Sequence, residues 1–149
     1  MSQRTVVVAT LGYAAVNSRH MVERQRIASG SPFEPVVGFS RAIVAGRHVH
    51  VAGTAPVPAR GGEVAPDAYS QARRCLEIIE SALDEPGATV HDVVRTRIFL
   101  VEAGDWQEVG RAHGEIFGEV RPASTMVVVA GLLDPAWKVE IEADALLDG

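Results

Sequence analysis

Residues Val139 to Asp144 read Val-Glu-Ile-Glu-Ala-Asp. In an extended strand, successive side chains point to opposite faces. Val139, Ile141 and Ala143 would then share one side, and Glu140, Glu142 and Asp144 the other. Such a strand belongs to a sheet with one face against a core and one face uncovered. The row of acids either faces water or forms one wall of a site.

The remaining elements must supply the cover. The spacing predicts a helix capped by Asp67, with Ala68, Ala72, Cys75, Leu76, Ile79, Ala82 and Leu83 on one stripe, ended by Pro86-Gly87. A second helix is predicted from Asp105, with Glu108 three residues on as a capping-box variant. Its buried stripe would be Trp106, Val109, His113, Ile116 and Phe117, with Pro122 as its stop. Strands are expected over Gly38–Ala45 and His48–Gly53, joined as a hairpin by Gly46-Arg47. Three more are expected over Val93–Val101, Met126–Ala130 and Lys138–Leu146. In the third strand Val94, Thr96, Ile98 and Leu100 would form the apolar face.

The order β-β-α-β-α-β-β places two helices on one face of a single mixed sheet, an α+β arrangement. The open face would carry Phe39, Ile43, Val93, Phe99 and Val101, too much apolar surface for water. A homo-oligomer that buries it follows, with Arg95 and Arg97 near the subunit boundary.

Bulk properties narrow the function classes. The 149 residues suffice for one domain with a sizeable core. A net charge of −5 removes the simplest electrostatic case for nucleic-acid binding. No run is long enough to span a bilayer. The single cysteine, Cys75, excludes an internal disulfide and fits a reducing, cytoplasmic setting. Residues 1–22 read as an N-terminal extension before a single domain over 23–149. A strand at Thr5–Thr10 or a loose arm is favoured there over a signal peptide, because Gly12 and Tyr13 interrupt the apolar run. Met21 is an alternative start.

Few residues outside the acid row point to chemistry. His48 and His50 alternate on one strand, but no third metal ligand stands nearby in sequence, so surface or packing histidines are the favoured reading. His113 reads as a core-edge residue and Cys75 as a buried, inert thiol. No phosphate loop, nucleophile elbow or zinc motif occurs.

The stretch Arg121-Pro-Ala-Ser-Thr-Met-Val-Val-Val-Ala130, followed by Val139-Glu-Ile-Glu-Ala143, resembles the C-terminal signature of the Rid family, also called YjgF-like and formerly endoribonuclease L-PSP. Asp67–Leu83 resembles that family's first helix and Asp92–Val101 its third strand. His50–Val57 resembles its Ser-Gly-Gln-x-Pro segment, with Ala52-Gly53-Thr54 in place of Ser-Gly-Gln. The likeness covers roughly residues 23 to 147.

This resemblance implies a chorismate-mutase-like fold and a homotrimer with small-molecule clefts between subunits. It implies hydrolysis of 2-imino acids to 2-keto acids and ammonia, without metal or cofactor. It assigns Glu140 as the carboxylate that positions or activates water. In the family an arginine between Pro-Ala and Ser grips the substrate carboxylate, a task suited to a planar guanidinium. Here Ser124 takes that place. Phe39 stands for a tyrosine, Gly110 for an asparagine and Met126 for a cysteine.

The pocket expected from Phe39, Thr54, Ser124, Thr125 and Met126 is therefore less basic and more apolar. It suits an uncharged or weakly polar imine, enamine or carbonyl compound. Arg97 is a replacement cation in one reading; an ion pair with Glu142 or Asp144 is the favoured one. Three functions compete: a Glu140-dependent hydrolase of C=N bonds, a non-catalytic ligand-binding or regulatory trimer, and a ribonuclease or translation inhibitor. The acidic balance opposes the last.

Overall fold

The computed structural model describes residues 23–148; the expectations for residues 1–22, including the alternative start, lie outside the described residues. Six strands are present: β1 (Arg24–Ile27), β2 (Ala42–Ala45), β3 (His48–Thr54), β4 (Val93–Leu100), β5 (Ala123–Val128) and β6 (Val139–Leu146). Two principal helices accompany them, α1 (Ala68–Asp84) and α2 (Trp106–Phe117). The strands form one sheet in the order β1-β2-β3-β6-β4-β5. Among the described residues only the β4–β5 pair is parallel, and α2 supplies the crossover that a parallel pair requires.

β1 is an addition to the expected strand order. Its sequence, Arg-Gln-Arg-Ile, carries one apolar residue, Ile27, which is buried. The β2–β3 hairpin turns on Gly46-Arg47 as expected, with Ala45 paired to His48. Gly46 has φ +63° and Arg47 is not among the positive-φ residues, the pattern of a type II′ turn, whose first central residue favours glycine.

Both helices cover the same face. From α1, Ala72, Cys75, Leu76, Ile79 and Leu83 meet Val49, Val51, Ile98, Leu100, Val139 and Ile141 of the sheet in one core. Each such Leu or Ile withdrawn from water contributes roughly 1.5–3 kcal/mol. Asp67 caps α1, its side chain accepting from the Ser70 N–H at 2.7 Å. The Cys75 thiol is buried and directed at the Val139 carbonyl, and burial pushes its pKa well up, as expected of an inert thiol.

Three local expectations need correction. Asp105 makes no capping bond to α2 and lies instead 3.6 Å from Lys138 Nζ. The α2 stripe is Val109, Ala112 and Phe117, while Trp106 is 56% exposed. The β4 alternation also breaks at its start. Val93 pairs with Ala145 and Arg95 with Asp144, so two β4 residues advance against one on β6. This bulge turns Val93 into the core and leaves Val94 half exposed.

Among the described residues, no helix is long and apolar enough to cross a membrane.

Candidate functional site

The strict alternation of β6 holds throughout. Val139, Ile141, Ala143 and Ala145 are buried under the helices; Glu140, Glu142 and Asp144 project from the opposite face. The three acids meet different neighbours. Arg97 Nη1 donates to Glu142 Oε2 at 3.2 Å and to Asp144 Oδ2 at 3.3 Å. Asp144 also meets His50 Nδ1 at 2.7 Å, and the rings of His48 and His50 lie parallel with centroids 6.0 Å apart. The ion pair expected of Arg97 is therefore the one formed.

Glu140 differs. It is half-buried and has neither an ion-pair partner nor a side-chain hydrogen bond among the described residues. Burial, with the Glu142 charge beside it, raises its carboxyl above the ordinary glutamate range; Arg41 acts in the opposite direction. Gly53 makes its position possible, because a Cβ built there would overlap Glu140 Oε1. The β3–β6 register shifts between Val51 and Thr54, which brings the Gly53 backbone over the carboxylate.

Sequence reasoning did not single out Arg41, two residues beyond Phe39. Its Nη1 donates to the Gly53 carbonyl at 3.1 Å and to Thr54 Oγ1 at 2.9 Å. It thus clasps the irregular segment that faces Glu140. Its Nε is buried without a partner among the described residues. A cation in a run otherwise read as a strand start was the available signal.

The remaining predicted positions fall in different places. Thr54 is fully buried, and its hydroxyl receives from Arg41 and donates to the Ala52 carbonyl. Phe39 is 36% exposed and follows a single π-helical turn, Glu34–Gly38. Ser124 pairs with Thr96 and Met126 with Ile98, which puts both on the helix-covered side of β5. Ser124 is exposed, and Met126 packs at the margin of the core. Thr125 pairs with Arg97 on the open side. Gly110 lies on α2 one turn before His113, and a Cβ added there would meet open space.

Ser124 and Glu140 consequently occupy opposite faces of one sheet. Ser124 aligns with Thr96 on the covered face, and Glu140 aligns with Phe99 on the open one. Within one chain the two side chains therefore face away from each other. Two surface hollows, one beside Val90 and Gly114 and one beside Pro56 and Arg74, involve neither residue.

Ser124 has its own surroundings, also missed from sequence. Its hydroxyl accepts from Thr96 Oγ1 at 2.9 Å, and Thr96 Oγ1 lies 2.9 Å from His113 Nε2. Burial lowers the His113 pKa and so favours the neutral imidazole. Thr96 was hidden in an apolar face, and His113 read as core edge; only β4–β5 register unites them.

Comparison with known proteins agrees with this architecture. The family profile described as Endoribonuclease L-PSP matches residues 29–147. An uncharacterized protein of Streptomyces coelicolor is 39% identical over 81% of this chain and 90% of its own length. The 2-iminobutanoate/2-iminopropanoate deaminase of Salmonella typhimurium is 35% identical over 68% of this chain and 80% of that protein. The crystal structure of a Mycobacterium tuberculosis member of the YjgF/YER057c/UK114 family superposes with a TM-score of 0.76 at 46% identity. That match covers 84% of this chain and 100% of the other. The fold and the matched sequence together establish that the chain belongs to the endoribonuclease L-PSP (YjgF/Rid) family.

Proposed function

We propose that the protein hydrolyses a small imine, enamine or related carbonyl derivative in a cleft between subunits of a cytoplasmic homotrimer. The observation that carries this reading is Glu140, a half-buried carboxylate with a raised pKa and no ion-pair partner among the described residues. A structural acid on this face forms ion pairs, as Glu142 and Asp144 do; a general base needs an unpaired carboxylate with its pKa moved toward neutrality.

The chemistry needs only water. Glu140 takes a proton from the water as its oxygen bonds to the C=N carbon. The nitrogen gains a proton, and the resulting carbinolamine collapses to a carbonyl compound and ammonia or an amine. The placement of Ser124 and Glu140 on opposite faces supports a cleft to which two copies contribute. The half-buried Phe99 and exposed Val127 on the open face support its burial by another copy. With Ser124 at the position where the family resemblance places an arginine, an uncharged substrate is favoured over a 2-imino acid.

Glu140→Gln tests this reading. With imines generated in situ from an amino-acid panel and from simple amines, ammonia release should fall by about 100-fold or more, the usual share of a general base. Unchanged turnover would sink it. A second reading, a non-catalytic ligand-binding trimer, draws on the Thr54 hydroxyl, which is fully committed within the chain. Metabolites that raise the melting temperature and are never consumed would favour it.

A further inference from the structure

Ser124, Thr96 and His113 stand in one hydrogen-bonded line on the covered face, from a surface hydroxyl on β5 through β4 to an imidazole on α2. Thr96 is fully buried between the two ends. With Thr96 donating to Ser124, the Thr96 oxygen is free to accept from His113 Nε2, the arrangement of an Nε2–H tautomer. The Ser124 proton is then the free donor at the exposed end. His113 Nδ1 makes no hydrogen bond to the described residues and is not among the buried unpaired atoms.

The surroundings keep this line uncharged. On α2, Arg111 stacks over the Tyr69 ring at 3.8 Å, and Glu115 accepts from the Tyr69 hydroxyl and approaches Arg73. Toward His113, β4 presents Thr96, and β5 presents Ser124 beyond it. Phe117 lies against the ring with centroids 4.7 Å apart. Burial is the cause that moves the His113 pKa, and among the described residues no charged side chain hydrogen-bonds to any of the three. Gly110, one turn away, leaves space beside His113 that a side chain would otherwise fill.

We propose that Ser124, Thr96 and His113 form a proton relay opening on the ligand cleft at Ser124, and that the group received there is an uncharged acceptor, a carbonyl oxygen or imine nitrogen. This deepens the hydrolytic reading and rests on it for the cleft. A carboxylate would meet a hydroxyl here and no guanidinium, whereas a neutral acceptor needs one donated hydrogen bond. The proton balance closes. Ser124 gives its proton to the acceptor, Thr96 replenishes Ser124, and His113 Nε2 replenishes Thr96. The ring takes a proton from water at Nδ1, the hydroxide left behind is neutralised by the proton that Glu140 returns to solvent, and the ring changes tautomer and not charge. Ser124 is the group that touches ligand; Thr96 and His113 are positioning residues acting through it.

The test uses the full-length protein labelled with 15N-histidine. Wild type should show His113 as the neutral Nε2–H tautomer at pH 7. Thr96→Val should abolish that preference, and Thr96→Ser should restore it. Butanone, a neutral acceptor probe, should shift the His113 Nε2 resonance, and the shift should vanish in Ser124→Ala. Butanoate of similar size should shift it less. A His113 resonance indifferent to butanone, or moved more by butanoate, overturns the proposal. In turnover, Thr96→Val should lower kcat by about tenfold or more with little change in KM, and Thr96→Ser should recover it. If Glu140→Gln abolishes turnover while Thr96→Val leaves kcat intact, the relay is wrong and the hydrolytic reading stands. If wild type turns over no imine, the hydrolytic reading fails, and the butanone response alone decides the relay.

Discussion

The two faces of β6 differ in what holds them. On the covered face Val139, Ile141, Ala143 and Ala145 are all buried, and the helices account for every one. On the open face three acids stand in the same geometric relation to the strand, yet only two are neutralised. Glu142 and Asp144 share Arg97, whereas Glu140 lies against the Gly53 backbone with its carboxyl pKa raised. The covered face is uniform because burial asks the same thing of each residue. The open face is not, because charge depends on the particular neighbours that other strands bring. Glu140 is the acid that the strands on this face leave without an ion-pair partner among the described residues.

Three substitutions, two on β6 and one on the facing β4, break or sharpen the contrast. Ile141→Ala should be the costliest. It removes most of a fully buried side chain and leaves a cavity, for a loss of about 2–5 kcal/mol by chemical denaturation. A loss below about 1 kcal/mol would mean that the core relaxes around β6 and that the covered face is not the rigid half.

Glu140→Gln should act in the opposite direction on stability. A carboxyl whose pKa is raised on folding contributes stability below its unfolded pKa and loses it as pH rises through the folded value. Ionised Glu140 is therefore a burden at neutral pH. The glutamine variant should melt higher than wild type at pH 7. Its advantage should fade as the pH falls below the ordinary glutamate value of 4.5, where both states of wild type are protonated. An equal or lower melting temperature at pH 7 would place Glu140 with its two paired neighbours.

Arg97→Met should matter least. Its guanidinium bridges two acids, but the side chain is 41% exposed, and solvent screens such pairs to about 0.2–1 kcal/mol. A loss of several kcal/mol would show that this face is dry in the assembled protein, as closure by another copy requires.

Some of this was legible along the chain. The α1 stripe, its Asp67 cap and the β6 alternation are local patterns with a strict period, and each appears as read. The α2 stripe was misjudged because Ala112, small and weakly apolar, is a buried residue, while the large Trp106 stays outside. β1 carries too little apolar signal to read as a strand; pairing with β2 makes it one. The start of β4 failed for another reason. A two-residue period predicts faces only while pairing stays one-to-one, and the bulge at Val93–Arg95 ends that.

The site divides in the same way. The residues themselves determined that β6 would have an acid face, that two helices would cover the other, and that Glu140 would project away from the core. Those facts follow from backbone periodicity and the cost of leaving apolar surface in water. Only the tertiary structure decided which acid would be left unpaired, because that depends on Arg97 arriving opposite Glu142 on β4 and on Gly53 arriving beside Glu140 from β3. It alone put Ser124 on the face opposite Glu140 and joined it to Thr96 and His113. Strand register and the packing of α2 are long-range choices, set by the fit of the whole core rather than by the spacing of neighbours in the chain.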